Sequence, residues 1–312
     1  MFLMDFLQFV GLITVGGLLS MVAHWVYSTF FRSVDFNAYK KAGADTWAVV
    51  TGASDGIGLG FVKSLAQRGF NVVLIGRNKE KLEGVVKGLK KDYTKVKFEI
   101  LISEAQGDSQ DLKRLEELKI ALDRYDIGVL VNNVGIALAK PGKLEYCDQK
   151  ELDKMVQVNC TFPLQFTRIL IKKLRDRKHK TAIINLSSVA ASLKVPNNSL
   201  YSATKAFNWA FSRSLGEEYG PFNIDVTCVQ PGLVESQMTG MKPGPLVCSA
   251  YECSEYALRR MGQEVVIPHW KHTLLYVPTD LLTNYFFPRN FLAKVFSFFD
   301  KTFDMSPKQK SS

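Results

Sequence analysis

The chain has few cysteines, and none of them follows a recognisable pattern. The five cysteines are an odd number and lie at positions 147, 160, 228, 248 and 253, without the spacing of metal ligands. The four histidines are scattered, apart from His269 and His272, and give no zinc motif either. These absences argue against a disulfide-stabilised secreted domain and against a metal site. They favour reduced thiols in a cytosolic domain.

The sequence also lacks internal repeats, low-complexity tracts and any surface that alternates basic and aromatic residues. We therefore expect no nucleic-acid partner. The formal net charge is +10, with basic residues concentrated in residues 77–97 and 168–180. Solvated helix faces account for most of this charge, and a positive surface also suits phosphorylated ligands and an anionic membrane. With 312 residues, the chain is long enough for one globular domain with appendages.

Charged residues are missing from residues 6–31. As a helix this segment would span about 39 Å at 1.5 Å per residue, which exceeds the roughly 30 Å of a bilayer's hydrocarbon core. A cleaved signal peptide is the alternative, but the segment has no basic start and no small-residue cleavage site. A buried core helix is a weaker alternative at this length. We predict a transmembrane anchor.

The charges on either side of this anchor predict its orientation. Only Asp5 and the α-amino group precede it, whereas Arg32, Lys40 and Lys41 follow it. Because the positive flank stays in the cytoplasm, the rest of the chain is expected to face the cytosol. Lysines third and fifth from the C-terminus, Lys310 and Lys308, resemble the dilysine retrieval signal of endoplasmic reticulum membrane proteins. The expected location is the endoplasmic reticulum membrane.

Beyond residue 45, short apolar runs alternate with helical patterns. The predicted strands are Thr46–Val50, Phe70–Ile75, Val96–Ile102, Ile127–Val131, Thr181–Leu186 and Ile224–Val229, and the predicted helices are Phe61–Arg68, Lys79–Tyr93, Gln110–Arg124, Lys150–Arg177 and Tyr201–Tyr219. Pro163 is expected to kink or divide the helix that contains it. This alternation predicts a single α/β domain with a Rossmann-type, doubly wound parallel sheet. Ligands bind such sheets beyond the carboxyl ends of the strands.

A glycine-rich turn follows the first predicted strand. Thr51-Gly52-Ala53-Ser54-Asp55-Gly56-Ile57-Gly58 offers a tight turn and a helix N-terminus, which bind a dinucleotide pyrophosphate. The alternative is that this glycine-rich turn is purely structural and binds no ligand. After the second strand, Arg77 stands where an NAD site carries an acid for the ribose 2′-hydroxyl. The Arg77 guanidinium suits the 2′-phosphate of NADPH. The alternative is that Arg77 is a surface arginine without a ligand.

Three polar residues near the fifth strand provide acid–base chemistry. Tyr201 and Lys205 are four residues apart and share one helix face, and Ser188 lies upstream of them. The ammonium is expected to favour the phenolate and to lower the pKa of Tyr201 from its ordinary value near 10. Each residue alone could be an ordinary packing or loop residue. Together with the glycine-rich turn they predict a redox enzyme.

These motifs together resemble the classical short-chain dehydrogenases/reductases over residues 46–239. The resemblance rests on Thr51–Gly58, Asn132-Asn133-Val134-Gly135, Asn159, Ser188, Tyr201-x3-Lys205 and Pro231-Gly232. It implies that Tyr201 is the acid/base, that Ser188 hydrogen-bonds the substrate carbonyl and that Lys205 tunes Tyr201 and holds the nicotinamide ribose. It further implies that Asn159 bends its helix and fixes a water of the proton relay. The implied cofactor-binding residues are Gly52, Ser54, Asp55, Gly56, Ile57, Gly58, Arg77, Asn78, Asn133, Gly135, Tyr201, Lys205, Pro231, Gly232 and Val234.

A narrower resemblance covers nearly the whole chain. The anchor, Val131-Asn132-Asn133-Val134-Gly135 and Pro268-His269-Trp270-x-His272 are similar to the very-long-chain 3-oxoacyl-CoA reductases and to the related membrane 17β-hydroxysteroid dehydrogenases. The first family implies NADPH-dependent reduction of 3-oxoacyl-CoA in fatty-acid elongation. Its implied partners are acyl-CoA, membrane lipid and other elongation enzymes, and a homodimer is a further candidate. A steroid 17-keto reductase and a non-catalytic scaffold subunit are the alternative functions. Ile102-Ser103-Glu104 departs from the family, which places an Asp here for the adenine.

The expected organisation follows from these segments. A short tail (1–5) precedes the anchor (6–31) and a linker (32–45). The catalytic domain spans 46–240, and residues 241–273 are expected to form a substrate lid because they show no obvious core pattern. Residues 274–312 form an apolar but interrupted segment and a tail, which we expect to lie on or re-enter the membrane.

Overall fold

The computed structural model describes residues 2–138 and 142–282. It begins with helix α1 (Phe2–Val26), which continues into a π-helical turn at Tyr27–Phe31. Met4–Phe31 is, by length and composition, the candidate membrane span among the described residues, with a mean hydropathy of 2.0, and its apolar 18-residue window is not buried inside the fold. The large apolar side chains of this helix are exposed from Met4 to Val22, whereas Trp25 and Val26 at its end are half-buried. The structure therefore contains the predicted candidate anchor.

The remaining elements alternate as expected. The strands are β1 (Trp47–Thr51), β2 (Asn71–Gly76), β3 (Phe98–Ile102), β4 (Ile127–Asn132), β5 (Thr181–Leu186), β6 (Ile224–Val229) and β7 (Val265–Val266). The further helices are α2 (Gly56–Gln67), α3 (Lys79–Asp92), α4 (Ala105–Asp108), α5 (Leu112–Asp123), α6 (Gln149–Val156), α7 (Phe162–Arg175), α8 (Ser199–Tyr219), α9 (Ala250–Arg259) and α10 (Trp270–Leu281). Short 3₁₀ turns occur at Phe36–Tyr39, Leu144–Tyr146, Val189–Ala191 and Gly220–Phe222.

Within the described residues, the strands form one parallel sheet in the order β3-β2-β1-β4-β5-β6-β7. The order reverses at β1, which lies next to both β2 and β4, so a crevice opens there at the carboxyl edge. β1 and β4 are buried along their whole length because helices cover both faces of the sheet. The predicted Rossmann-type, doubly wound fold is confirmed.

Two apolar clusters lie on opposite faces of this sheet. One is built around Phe61, Leu65 and Leu82 from α2 and α3, and the other around Phe162 and Phe166 from α7. All five of these side chains are fully buried. Burial of one such side chain contributes roughly 1.5–3 kcal/mol, so the two layers hold the strand ends that carry the polar residues in fixed positions.

The segment expected to be a lid belongs partly to the core. α9 packs against α2, and its residues Ala257 and Leu258 join the core cluster beside Phe61. Val265–Val266 adds a seventh strand that the sequence analysis missed, because a two-residue strand leaves no periodic signal. The part that lines the cleft is the loop before α9, at Val234, Ser236, Gln237, Met238 and Thr239.

The linker docks at the amino edge of the sheet. Tyr39 donates a hydrogen bond to Asp225 at the start of β6, and the backbone carbonyl of Tyr39 accepts a 2.9 Å hydrogen bond from Arg177. Arg177 also pairs through two hydrogen bonds with Asp126, which precedes β4. The anchor therefore joins the domain at the edge opposite to the crevice. The C-terminal segment beyond residue 282, including the dilysine tail, lies outside the described residues.

Candidate active site

A cleft of about 350 Å³ opens at the carboxyl edge of the sheet, where the order of the strands reverses. The sequence-predicted residues that line it are Gly52, Asp55, Gly56, Ile57, Arg77, Asn133, Gly135, Ser188, Tyr201, Lys205, Pro231, Gly232 and Val234. Ser54 lines an adjoining cleft together with Arg77, Ser103 and Glu104. The structure therefore brings most of the predicted site residues to one place, although they come from six separate stretches of the chain.

The turn after β1 depends on its glycines. Gly52 and Gly56 have φ angles of +64° and +52°, a region in which side chains are strained. A Cβ on Gly58 would lie 2.1 Å from the carbonyl oxygen of Gly52 and 2.5 Å from Nδ2 of Asn133. Asp55 caps α2, because its carboxylate accepts a 2.7 Å hydrogen bond from the Gly56 N–H. The result is a helix N-terminus whose backbone closely approaches the cleft, which is a suitable anion site.

Gly58→Ala is expected to disrupt this turn. The added methyl group meets a backbone carbonyl rather than a flexible side chain, so the overpacking should destabilise the fold by about 1–3 kcal/mol and weaken dinucleotide binding. Thermal unfolding and a fluorescence titration with NADPH measure both effects. Gly88→Ala is the control, since a Cβ there has no neighbour within 4 Å and should stabilise α3 by roughly 0.5–1 kcal/mol. Equal effects of the two substitutions would contradict this description of the turn.

The end of the cleft beside β2 is basic. Arg77 is exposed, and its guanidinium lies 4.0 Å from the carboxylate of Glu104. Lys81 also lines the cleft, where its Nζ lies 3.4 Å from Asp55 Oδ2 and 3.2 Å from Gln237 Oε1. Asn78 caps α3 by accepting a 2.8 Å hydrogen bond from the Lys81 N–H and is not among the residues that line the cleft. Two cations are thus available for a phosphate.

Ser188, Tyr201 and Lys205 lie together on the opposite wall. Tyr201 and Lys205 are on α8, and Nζ of Lys205 lies 5.7 Å from the centre of the Tyr201 ring. The same Nζ donates a 3.1 Å hydrogen bond to the carbonyl of Leu186, at the end of β5. Ser188 follows β5, and its side chain forms a hydrogen bond with Tyr201. A hydroxyl, a phenol and an ammonium therefore meet at one point of the cleft.

Burial shifts the pKa values of Tyr201 and Lys205 in opposite directions. It raises the pKa of Tyr201, and the hydrogen bond with Ser188 only partly offsets this. It lowers the pKa of Lys205 to about 8, although the nearby Cys160 and Cys228 act in the other direction. The predicted lowering of the Tyr201 pKa by Lys205 is wrong, because the desolvation of the phenol outweighs any effect of the ammonium.

Asn159 lies in a π-helical turn, Gln157–Thr161, between α6 and α7. Its side chain accepts a 2.8 Å hydrogen bond from the Ile136 N–H and donates a 2.9 Å hydrogen bond to the Ile136 carbonyl. It also donates to the hydroxyl of Thr204, the residue before Lys205. The long predicted helix is divided at this turn, directly before Pro163. Asn159 thus ties the loop after β4 to the helix that carries Tyr201 and Lys205.

Two further loops complete the floor and wall of the cleft. Asn133 donates from Nδ2 to the carbonyls of Thr51 and Gly52, at 2.9 and 3.2 Å, and so joins β4 to the glycine-rich turn. A Cβ on Gly135 would lie 3.2 Å from Nζ of Lys205, which leaves no room for a larger residue without a shift. The Pro231–Gly232 turn is held by α10, because the Gly232 N–H donates to Nδ1 of His272 at 3.2 Å.

The comparison with known proteins matches this geometry. Residues 46–243 match the short chain dehydrogenase family. The chain belongs to this family. It is therefore an oxidoreductase of the kind that acts on CH–OH groups, as the motifs predicted.

This short-chain dehydrogenase is similar to several proteins of its family. It is 34% identical over 242 residues to the very-long-chain 3-oxoacyl-CoA reductase of Podospora anserina, across 75% of this chain and 69% of that protein. It is 36% identical over 250 residues to the very-long-chain 3-oxoacyl-CoA reductase-A of Danio rerio, across 76% of each. A short-chain dehydrogenase from Sphingobium yanoikuyae in complex with NADPH has the same fold, with a TM-score of 0.64 and 23% identity over 86% of this chain and 98% of that one.

Some residues of the dehydrogenase cleft were missed by the sequence analysis. They are Lys81 on α3, Leu186 and Ser187 at the end of β5, and Ser236, Gln237, Met238 and Thr239 on the loop after Gly232. Lys81 lies four residues after Arg77, in the first turn of α3, so a search of the start of α3 for a second cation would have found it. The loop residues have no sequence signal, because their place depends on how the chain returns over the cleft.

Proposed function

We propose that the chain is a membrane-anchored, NADPH-dependent 3-oxoacyl-CoA reductase of very-long-chain fatty-acid elongation. The observation that carries this proposal is the meeting of Ser188, Tyr201 and Lys205 across the cleft from the glycine-rich turn. The names of the relatives supply the substrate class. The product is the 3-hydroxyacyl-CoA.

The cleft fits a nicotinamide dinucleotide. Gly58 lets α2 pack directly against the glycine-rich turn, because a Cβ there would lie 2.1 Å from the Gly52 carbonyl oxygen, and Gly56 and Ile57 at the N-terminus of α2 line the cleft as an anion site. Arg77 and Lys81 supply positive charge at the end where a ribose 2′-phosphate would lie, which supports NADPH over NADH. Asn133 and Gly135 shape the floor, and Pro231, Gly232 and Val234 form the wall. When bound, NADPH supplies the hydride that reduces the 3-keto group.

Tyr201 and Ser188 act on the substrate carbonyl oxygen. The Ser188 hydroxyl donates a hydrogen bond to this oxygen and stabilises the negative charge that develops on it. Tyr201 transfers its phenolic proton to the same oxygen as general acid. Because burial raises the pKa of Tyr201, the phenol stays protonated at neutral pH, which is the form that reduction requires.

Lys205 and Asn159 support this proton transfer. The Lys205 ammonium is placed to hold the nicotinamide ribose and to stabilise the phenolate once the proton has left Tyr201. Asn159 fixes the loop after β4 against α8 and is proposed to position the water that returns a proton to Tyr201. Neither role requires Lys205 to give up its own proton.

The rate of reduction is expected to fall above about pH 8. Below the Lys205 pKa of about 8 the ammonium is charged, and above it the amine is neutral and no longer stabilises the phenolate. We expect kcat/KM for reduction to be constant on the acidic side and to decline as pH rises through this value. A pH profile of NADPH oxidation measures this. Lys205→Arg, which stays charged, should remove the decline near pH 8. A wild-type kcat/KM that rises above pH 8 would contradict the role assigned to the Lys205 ammonium.

The candidate anchor supports a proposal for the location of the protein. We propose that α1 crosses the endoplasmic reticulum membrane and that the catalytic domain faces the cytosol, because Arg32, Lys40 and Lys41 follow the span. Acyl-CoA is the proposed substrate, the membrane lipid surrounds the anchor, and the other elongation enzymes are the proposed partners. A protease-protection assay on sealed microsomes tests whether the catalytic domain faces the cytosol. A catalytic domain that is protected from the added protease would refute this orientation.

A comparison of two substrates tests the proposed substrate class. Detergent-solubilised protein is offered NADPH with either a long-chain 3-oxoacyl-CoA or a 17-ketosteroid, and the ratio of specificity constants decides between them. We expect a preference for the acyl-CoA. A preference for the steroid would show that the same cleft and catalytic residues serve a hydroxysteroid dehydrogenase.

A further inference from the structure

Asn208 lies on the buried face of the catalytic helix and has no part in the roles proposed above. Tyr201, Lys205, Asn208 and Ser212 follow one another at helical spacing, so they share one face of α8. Asn208 is 3% exposed and Ser212 is 1% exposed. A buried amide needs hydrogen-bond partners, and those of Asn208 indicate what it does.

The Asn208 side chain pairs with the backbone at Asn159. Its Nδ2 donates a 2.8 Å hydrogen bond to the carbonyl of Asn159 and a 3.2 Å hydrogen bond to the carbonyl of Thr204. In an α-helix, the Asn159 carbonyl would accept from the N–H of residue 163. Residue 163 is Pro163, which has no N–H. The Asn208 amide thus supplies a donor where α-helical pairing would lack one.

The backbone carbonyl of Asn208 also joins a buried polar network. The Ser212 hydroxyl donates a 2.6 Å hydrogen bond to the Asn208 carbonyl and accepts a 3.0 Å hydrogen bond from Asn185 on β5. Asn132 on β4 donates to Asn185 at 2.8 Å and to Thr167 on α7 at 2.9 Å. These side chains are all nearly inaccessible to solvent. The network joins β4 and β5, which end at the cleft, to α7 and α8.

We propose that Asn208 is a positioning residue for the reduction. It holds the carbonyl of Asn159, fixes the π-helical turn against α8, and so keeps the Asn159 side chain on Ile136 and Thr204. It acts through Asn159 and does not line the cleft. This inference rests on the function proposed above, in which Asn159 and Lys205 support the proton transfer from Tyr201.

The test compares Asn208→Leu and Asn208→Asp with Ser212→Ala. Leucine has a similar volume but no amide, and aspartate keeps the shape but lacks the N–H donors. We expect both Asn208 variants to lower kcat by about 10- to 100-fold, because a small displacement of catalytic groups has effects of this size. The KM for 3-oxoacyl-CoA and the Kd for NADPH should change by no more than about twofold. Ser212→Ala removes a bond of the same network without touching Asn159 and should keep kcat within about threefold of wild type.

Hydrogen–deuterium exchange supplies a readout that does not need turnover. In both Asn208 variants, amide exchange should rise in peptides that cover residues 150–165, whereas the strands of the sheet should stay as protected as in the wild type. In Ser212→Ala, the same peptides should exchange at the wild-type rate.

Two results would overturn the proposal. One is wild-type kcat and wild-type exchange in Asn208→Leu. The other is a uniform rise in exchange across the sheet in the Asn208 variants, together with a loss of kcat in Ser212→Ala as large as theirs. That result would show that Asn208 has a purely structural role. If the wild type reduced no 3-oxoacyl-CoA, the proposed function would fail, while the exchange comparison would still decide whether Asn208 holds the turn.

Discussion

Tyr201→Phe is expected to lower kcat for 3-oxoacyl-CoA reduction by about 10²- to 10⁴-fold, the usual contribution of a general acid. The substitution removes only the hydroxyl, so the ring keeps its place beside Lys205. The substrate carbonyl then loses its proton donor, while Ser188 still offers a hydrogen bond. NADPH binding should stay near the wild-type value, because the glycine-rich turn and Arg77 are unchanged. Stopped-flow NADPH oxidation and a fluorescence titration measure the two effects.

Tyr146→Phe is the matched control for this substitution. Tyr146 is 78% exposed and does not line the cleft, so the loss of its hydroxyl should leave kcat unchanged. A Tyr201→Phe enzyme that keeps more than about a tenth of wild-type turnover would refute the assigned acid role. A Tyr201→Phe enzyme that no longer binds NADPH would instead show that the phenol holds the cofactor.

Arg77→Glu is expected to reverse the choice of cofactor. The change removes a charge-assisted partner of the 2′-phosphate and replaces it with a like charge. We expect the ratio of kcat/KM for NADPH to that for NADH to fall by about 100-fold, which corresponds to the loss of one hydrogen bond to a charged group together with repulsion. Steady-state kinetics with both cofactors and one ketone substrate give the ratio directly.

Lys79→Glu makes the same change of charge two residues away. Lys79 is exposed, starts α3 and does not line the cleft, so a general effect of protein charge would appear in both variants. An unchanged ratio in Arg77→Glu would show that Arg77 is a surface arginine, which was the alternative left open by the sequence. A similar fall of the ratio in both variants would show that the overall charge of the protein, and not a direct contact of Arg77 with the 2′-phosphate, causes the preference.

The sheet could be predicted from the sequence because most of its strands, such as β1 and β4, are continuous apolar runs buried on both faces. β5 and β6 were predicted with the same ends as in the structure, and the other predicted strands differ by one or two residues. The strand β7 could not be predicted, since two valines have no period. α9 was also missed, although its capping box, Ser249 with Glu252, is a recognisable start signal. The helix was obscured because the loop before it suggested a lid.

The site was predictable where chemistry determines the residue type. A glycine at 58 is required because Gly52 and Asn133 occupy the place of a side chain, and Tyr201 and Lys205 share a face by their spacing. The pKa of Tyr201 was not predictable, because burial is a property of the folded chain. The partner of Asn208 was not predictable either, since it lies 49 residues away along the sequence.

The most direct test of the whole account is the reaction itself. Detergent-solubilised full-length protein is mixed with NADPH and a long-chain 3-oxoacyl-CoA, and the products are followed by absorbance and mass spectrometry. We expect one 3-hydroxyacyl-CoA to form for each NADPH oxidised, with Tyr201→Phe as the inactive reference. Protein that binds NADPH yet forms no 3-hydroxyacyl-CoA would contradict the account.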